Sequence, residues 1–430
     1  MARKIKDPQD FWLRLDNAAK IYPAVMGREL PSVFRLSAEL KDRVKARQLL
    51  EAVSAIESRF PYYMVKLKAG FFWYYLEPSD QPIRVMADQG LPCRAFDKGG
   101  LMFRILARDH TISVEFSHVL TDGSGALQFL KTLLLVYFQK CGVAVPPEVS
   151  FHRPGDVPSP DEFEDAFSRY FRKMDSRPAP IPKALHLPFE LRATPRFDVL
   201  TAEAPIEPVI RKANEHQASL TEYLVAVYLY SLQSIYDEQI LKKRKDGNVL
   251  RVEVPVNLRR MFPSDTMRNF SLYVIPCIDM RLGHYSFDEV VKAVHHQMQL
   301  ETDKKLIGRM ISRHVGGERN WFIRGLPLFV KSFVLSRLYV HGINRYSGVV
   351  TNIGRIDLGG EVNSLIHSFT LIPPPPDRAL KVNCGLAGFD NNLVLSFGNV
   401  TVSRELERQF LKFLTAHGIP VRIRKHFSKQ

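Results

Sequence analysis

The chain has 430 residues, 45% hydrophobic and 24% charged, with a formal net charge of +15. The length favours two domains and supplies ample core, so no metal or disulfide staple is required. The positive surplus favours anionic partners such as phosphorylated cofactors, acidic carrier proteins or headgroups, yet its clusters at Lys242–Lys245 and Arg422–Lys425 lack interleaved aromatics, which argues against nucleic acid.

Ser32–Leu40 alternates and predicts a strand, and Lys45–Arg59 carries Leu49, Leu50, Val53 and Ile56 at helical spacing. Tyr62–Leu76 is aromatic and β-branched around an Ala69-Gly70 turn. Met102–Ala107 and Thr111–His118 predict a hairpin about Arg108-Asp109-His110. Ala126, Phe129, Leu130, Leu133, Leu134 and Tyr137 then mark a largely buried helix. From Val143 to about Pro195 prolines are frequent, which predicts an interdomain connection with one short helix over Pro160–Lys173.

The second half predicts strands at Arg196–Ala204, Leu250–Val256, Ser271–Met280, Val349–Leu358 and Leu393–Val402. Helices are predicted at Ile206–His216, Thr221–Tyr236, Ser286–Leu300 and Leu406–His417. Strand and helix mix without strict alternation, so the fold class is α/β in the α+β sense: two sandwich domains, 1–180 and 181–430, rather than a doubly wound sheet. Gly325–Tyr339 reads as an amphipathic helix; core packing is the default, and membrane contact during uptake of a lipophilic alcohol the alternative. No stretch predicts a transmembrane span, because Trp321–Val340 is interrupted by Arg324, Pro327, Lys331 and Arg337.

Four cysteines, Cys93, Cys141, Cys277 and Cys384, are widely spaced. They form no CxxC, which speaks for a reducing, cytoplasmic compartment and against zinc. Met1–Asp7 has no apolar region of the secretory kind. The consecutive His295 and His296 point apart on a helix, so no metal site is expected.

The chemistry concentrates in Phe116–Gly125. Ile112, Val114 and Phe116 share one strand face, and period-two geometry puts His118 on it too. Apolar surroundings keep an imidazole neutral, the form a general base requires. Asp122-Gly123 reverses the chain before the helix. Asp122 either bonds His118 and fixes its tautomer or pairs with an arginine and holds the turn. The spacing alone is cheap: His284–Asp288 is also HxxxD, and there Ser286 and Glu289 predict a capping box that accounts for Asp288.

Ser117-His118-Val119-Leu120-Thr121-Asp122-Gly123 matches the HxxxDG motif of the chloramphenicol acetyltransferase-like, coenzyme A-dependent acyltransferases. Further segments follow in family order: Ser58–Pro61, Val254–Arg260, Arg268–Phe270, Leu326–Leu328 with Lys331, and Val350–Ile356. The chain resembles the alcohol acetyltransferase-like branch and is more distantly similar to nonribosomal condensation domains. Those usually carry two adjacent histidines where Ser117-His118 stands here. A DFGWG motif is absent, and Ser396–Asn399 reads as strand.

The resemblance implies two chloramphenicol acetyltransferase-like sandwich domains with a channel between them. It implies His118 as general base for acyl transfer, usually acetyl, from acyl-CoA to an alcohol, with no tightly bound cofactor. Asp122 would be mainly structural, with Gly123 in the turn and Arg59 as candidate partner. Thr351, Asn352 and Gly354 would help position substrate or an oxyanion. The alternatives are a carrier-protein-dependent or condensation-like transfer to an amine or hydroxyl, and a non-catalytic ligand-binding role.

Overall fold

The computed structural model describes residues 11–174, 180–194, 196–239 and 248–427. The Lys242–Lys245 cluster lies outside the described residues. Two large sheets carry the fold. The first has five strands in the order Ile366–Ile372, Val33–Leu40, Thr111–Ser117, Phe103–Arg108, Val85–Ala87. The second has eight. Seven run in the order Ser271–Val274, Val249–Asn257, Gly348–Ile356, Val382–Phe389, Asn392–Asn399, Asp198–Pro205, Arg422–Phe427, and Cys277–Asp279 also pairs with Val249–Asn257. A three-stranded sheet joins Leu13–Arg14, Tyr74–Pro78 and Val65–Ala69.

Alternation explains the first sheet. Phe34, Leu36 and Ala38 lie opposite Phe116, Val114 and Ile112, and all six are buried in one core with Leu49 and Val53 of the helix Ala46–Ile56 and with Phe129, Leu130 and Leu133 of the helix Gly123–Lys140. The other face is polar but equally buried. Arg35 donates to Glu115 and Asp88 at 2.7 Å each, Arg104 Nε reaches Glu115 at 2.6 Å, and Ser37 bonds Ser113 at 2.8 Å. Charges this deep persist only when paired and hydrogen-bonded. The second sheet buries Val252, Val254, Leu395 and Phe397 against Leu224, Val227 and Phe410 of the helices Leu220–Gln239 and Glu405–Ala416.

One strand ties the halves together. Ile366–Ile372 comes from the second half of the chain yet pairs antiparallel with Val33–Leu40 across the expected division at residue 180. It also touches the second sheet. A Cβ on Gly385 would stand 2.4 Å from the Leu371 carbonyl oxygen, so the bare glycine permits the two sheets to approach.

Several sequence expectations need correction. The strand expected over Ser271–Met280 is two pieces, Ser271–Val274 and Cys277–Asp279, since Pro276 between them has no N–H for the ladder. The helix expected over Pro160–Lys173 breaks into Pro160–Phe163 and Ala166–Tyr170, where extended Glu164 gives its carbonyl to Thr266 Oγ1 at 2.7 Å. The helix Leu328–Ile343 departs from the expected core packing. Lys331 is buried, donating to the Phe72 and Arg324 carbonyls over the Trp73 ring, whereas Phe329 and Phe333 are exposed. Among the described residues no helix is long and apolar enough to cross a membrane.

Candidate active site

The strand Thr111–Ser117 ends where the His118 N–H donates to the Ser32 carbonyl at 2.9 Å. As its strand position predicts, the half-buried imidazole lies on the face of Phe116. Phe34 packs against the ring at 4.6 Å between centroids, and Tyr22 stacks on it at 5.3 Å with 16° between planes. Nδ1 lies 3.3 Å from the Thr121 carbonyl oxygen. A carbonyl can only accept, so Nδ1 carries the proton and Nε2 presents the lone pair. Burial pushes the imidazole down to about 4, against the charge of Asp122 and the bond to Thr121. The ring is therefore neutral at physiological pH.

Asp122 caps the helix that follows. Its Oδ1 accepts from the N–H groups of Ser124 and Gly125 at 3.1 Å each. Its Oδ2 accepts from Arg259 Nη1 and from the Phe270 N–H, both at 2.8 Å. Burial acts to raise its pKa, but the Arg259 guanidinium and the N–H groups of Phe270 and Gly125 outweigh it and hold the carboxyl below its ordinary value. Of the two roles left open by the spacing, the geometry gives Asp122 the second: it pairs with an arginine and holds the turn.

That arginine is Arg259 and not Arg59. Arg59 instead makes a bidentate pair with Glu162 at 2.7 and 2.9 Å, joined by Tyr62 and His152. The physical reason is reach. Arg59 ends a short helical turn facing the connecting segment, whereas Arg259 follows the strand Val249–Asn257 of the second sheet and arrives directly at the motif turn. Arg259 also donates to the carbonyls of Thr266 and Arg268 and to Asn257 Oδ1. Asn257 Nδ2 in turn donates to Ser124 Oγ at 2.9 Å.

Asn269 was legible only as part of Arg268-Asn269-Phe270. Its amide donates both to the His118 carbonyl at 2.9 Å and to buried Asp16 at 3.0 Å. Thr121 Oγ1 donates to the Met267 carbonyl at 2.6 Å, and Tyr63 OH to the same oxygen at 2.7 Å. Residues 257–270 thus clasp the histidine turn from the second half of the chain.

The segment 351–354 meets the same turn. A Cβ on Gly123 would lie 2.9 Å from Ile353 Cδ1, so Gly123 admits the second sheet to the helix start. Gly354 has φ +86° and sits where the pairing of Gly348–Ile356 with Val382–Phe389 shifts register. Asn352 Oδ1 accepts from the Gly354 N–H at 2.8 Å, and its Nδ2 donates to Thr221 at 2.9 Å. The Asn352 side chain is therefore engaged in shaping the bulge. Thr351 is half-buried on the same strand.

One group escaped the sequence reading. On Val249–Asn257, Val252 and Val254 face the second core, so Glu253 shares the opposite face with Asn257. Among the described residues no hydrogen bond or ion pair reaches its carboxylate, and burial raises its pKa to about 7. Its charge bears on Tyr273, Tyr339, Tyr346 and on Tyr22, the ring stacked upon His118. The second HxxxD is as expected: Ser286 and Glu289 form the capping box, while Asp288 pairs with His216 at 2.9 Å.

No family model and no curated protein matches the sequence. Solved structures match across its length. The epimerization domain from the third module of tyrocidine synthetase B aligns with a TM-score of 0.61 and 11% identity, covering 95% of each chain. TRI101 of F. sporotrichioides, solved with coenzyme A and T-2, aligns at 0.62 and 9% identity over 96% of this chain and 100% of its own. The first condensation domain of the CDA synthetase aligns at 0.58 and 15%, covering 95% and 96%. The fold is that of the two-domain condensation-like and chloramphenicol acetyltransferase-like proteins.

Proposed function

We propose that the protein is an O-acyltransferase that moves an acyl group from a thioester, acetyl-CoA in the simplest case, to an alcohol hydroxyl. The observation that carries this reading is the neutral His118 with Nδ1 held on the Thr121 carbonyl and Nε2 left as the base. Nε2 takes the hydroxyl proton as the acceptor oxygen bonds to the thioester carbonyl carbon. The tetrahedral adduct collapses, the C–S bond breaks, and the imidazolium returns its proton to the departing thiolate. Asp122 takes no proton in this scheme. With Arg259 and Asn269 it fixes where the histidine stands. Thr351, Asn352 and Gly354 shape the neighbouring wall, which Ile353 presses against Gly123. CoA as donor agrees with the positive surplus of the chain and with the coenzyme A bound by TRI101.

The condensation-domain likeness supports one second reading, a donor thioester carried on an acyl carrier protein. Purified protein given acetyl-CoA and a panel of primary and secondary alcohols is expected to release free CoA and form the matching ester. Thiol release only from a carrier-bound donor would select the second reading. Ligand binding without turnover of either donor would leave a non-catalytic binding protein.

A further inference from the structure

The helix Leu328–Ile343 turns large apolar side chains to the surface. Its outward face shows Phe329 at 75%, Phe333 at 62% and Val340 at 54% exposure, and the adjoining turn Trp321–Gly325 shows Trp321 at 82%. The tip between strands Val65–Ala69 and Tyr74–Pro78 adds Phe71 at 73%. These side chains belong to one built surface. The Leu328 N–H donates to the Phe71 carbonyl at 2.8 Å, and Lys331 Nζ bonds the Phe72 and Arg324 carbonyls at 3.0 and 3.1 Å. A cavity of about 530 Å³ lies in the seam, lined by Phe71, Tyr74, Pro327 and Phe329 among others. Exposed aromatics gathered from several elements mark a contact site rather than scattered surface apolarity.

Charge says what the contact is. Residues 304–341 contain eight Lys and Arg and a single acidic residue, Glu318. Glu318 is itself engaged by Lys20 and Asn17. Exposed Arg319, Arg324 and Arg337 stand among the aromatics. Apolar rings that can enter the acyl boundary, with cations interspersed for headgroup phosphates, are the make-up of an in-plane membrane contact. We infer that this face docks onto an anionic lipid bilayer, lying in the interface without crossing it. The same helix carries Tyr339, which is half-buried and close to Tyr22, the ring on His118. Docking therefore brings lipid against the helix whose Tyr339 lies near the ring stacked on His118.

The test is flotation of the full chain with vesicles of phosphatidylcholine alone and with 30% phosphatidylserine. Binding is expected to the anionic vesicles, falling at least tenfold on neutral ones and further in high salt. Phe329→Glu with Phe333→Glu should abolish it while leaving the far-UV spectrum and melting temperature unchanged. Arg324→Glu with Arg337→Glu should weaken it by about fivefold or more per cation. Failure to float with anionic vesicles, or flotation indifferent to both pairs, would overturn the proposal. So would capture of an acidic holo carrier protein by this face in place of vesicles. None of these readouts depends on acyl transfer.

Discussion

At the scale of single residues, the site turns on one imidazole and the groups that hold it. A general base must carry an unprotonated nitrogen at the working pH. Burial achieves that for His118, bringing its pKa down to about 4 from the usual 6.5. The acid limb of kcat/KM is therefore expected near pH 4, with no loss of rate between pH 7 and pH 5; an inflection near 6.5 would show an ordinary, solvated histidine. Stability follows with the same sign. The unfolded chain takes up this proton first, so the contribution is full above about pH 6.5 and is lost as pH falls towards 4. The residue itself was readable from strand periodicity and the glycine after Asp122. Tyr22, Phe34 and Glu253 were not, because nothing in a local pattern says that Tyr22, 96 positions upstream, will lie on the ring.

Elements explain why Asp122 is built as it is. Its carboxylate joins the first turn of Gly123–Lys140 to Arg259 behind the strand Val249–Asn257. Arg259→Met strands a buried carboxylate and is expected to cost about 3–5 kcal/mol in denaturant unfolding. Arg259→Lys should recover little, since one ammonium cannot also reach the Thr266 and Arg268 carbonyls. An unchanged midpoint in Arg259→Met would refute the pairing. The glycines give a paired test. A Cβ on Gly125 would lie 2.2 Å from Thr121 Oγ1 and 2.5 Å from the Met267 carbonyl oxygen, while one on Gly308 would meet nothing within 4 Å. Gly125→Ala should destabilise by more than about 2 kcal/mol through overpacking. Gly308→Ala, inside the helix Lys304–Arg319, should stabilise by about 0.5–1 kcal/mol. Element type was legible wherever periodicity was long, as in Leu220–Gln239. It was missed where the signal was tertiary. Ile366–Ile372 was not seen as a strand, because its partner Val33–Leu40 lies over 300 residues away. The helix Leu328–Ile343 was legible but its buried Lys331 was not, because the carbonyls and Trp73 ring that draw Lys331 inward come partly from another element.

For the whole molecule, the two halves of the chain meet at the candidate site. The histidine turn belongs to the first sheet, but the second half of the chain supplies Arg259, Asn269 and Ile353 around it. A strand crossing between the sheets holds that arrangement in register. The two-sheet architecture was readable from the mixture of strands and helices; the crossing was not. Nor was the choice between Arg59 and Arg259, since both lie in segments that carried the resemblance.

The central claim is that His118 is the base of an acyl transfer. The most direct test is single-turnover release of thiol from acetyl-CoA in the presence of a competent alcohol, comparing the native chain with His118→Ala. His118→Ala should fold with an unchanged far-UV spectrum and bind acetyl-CoA, yet lose about 10²–10⁴-fold in rate. A variant that releases thiol at the native rate would contradict the account.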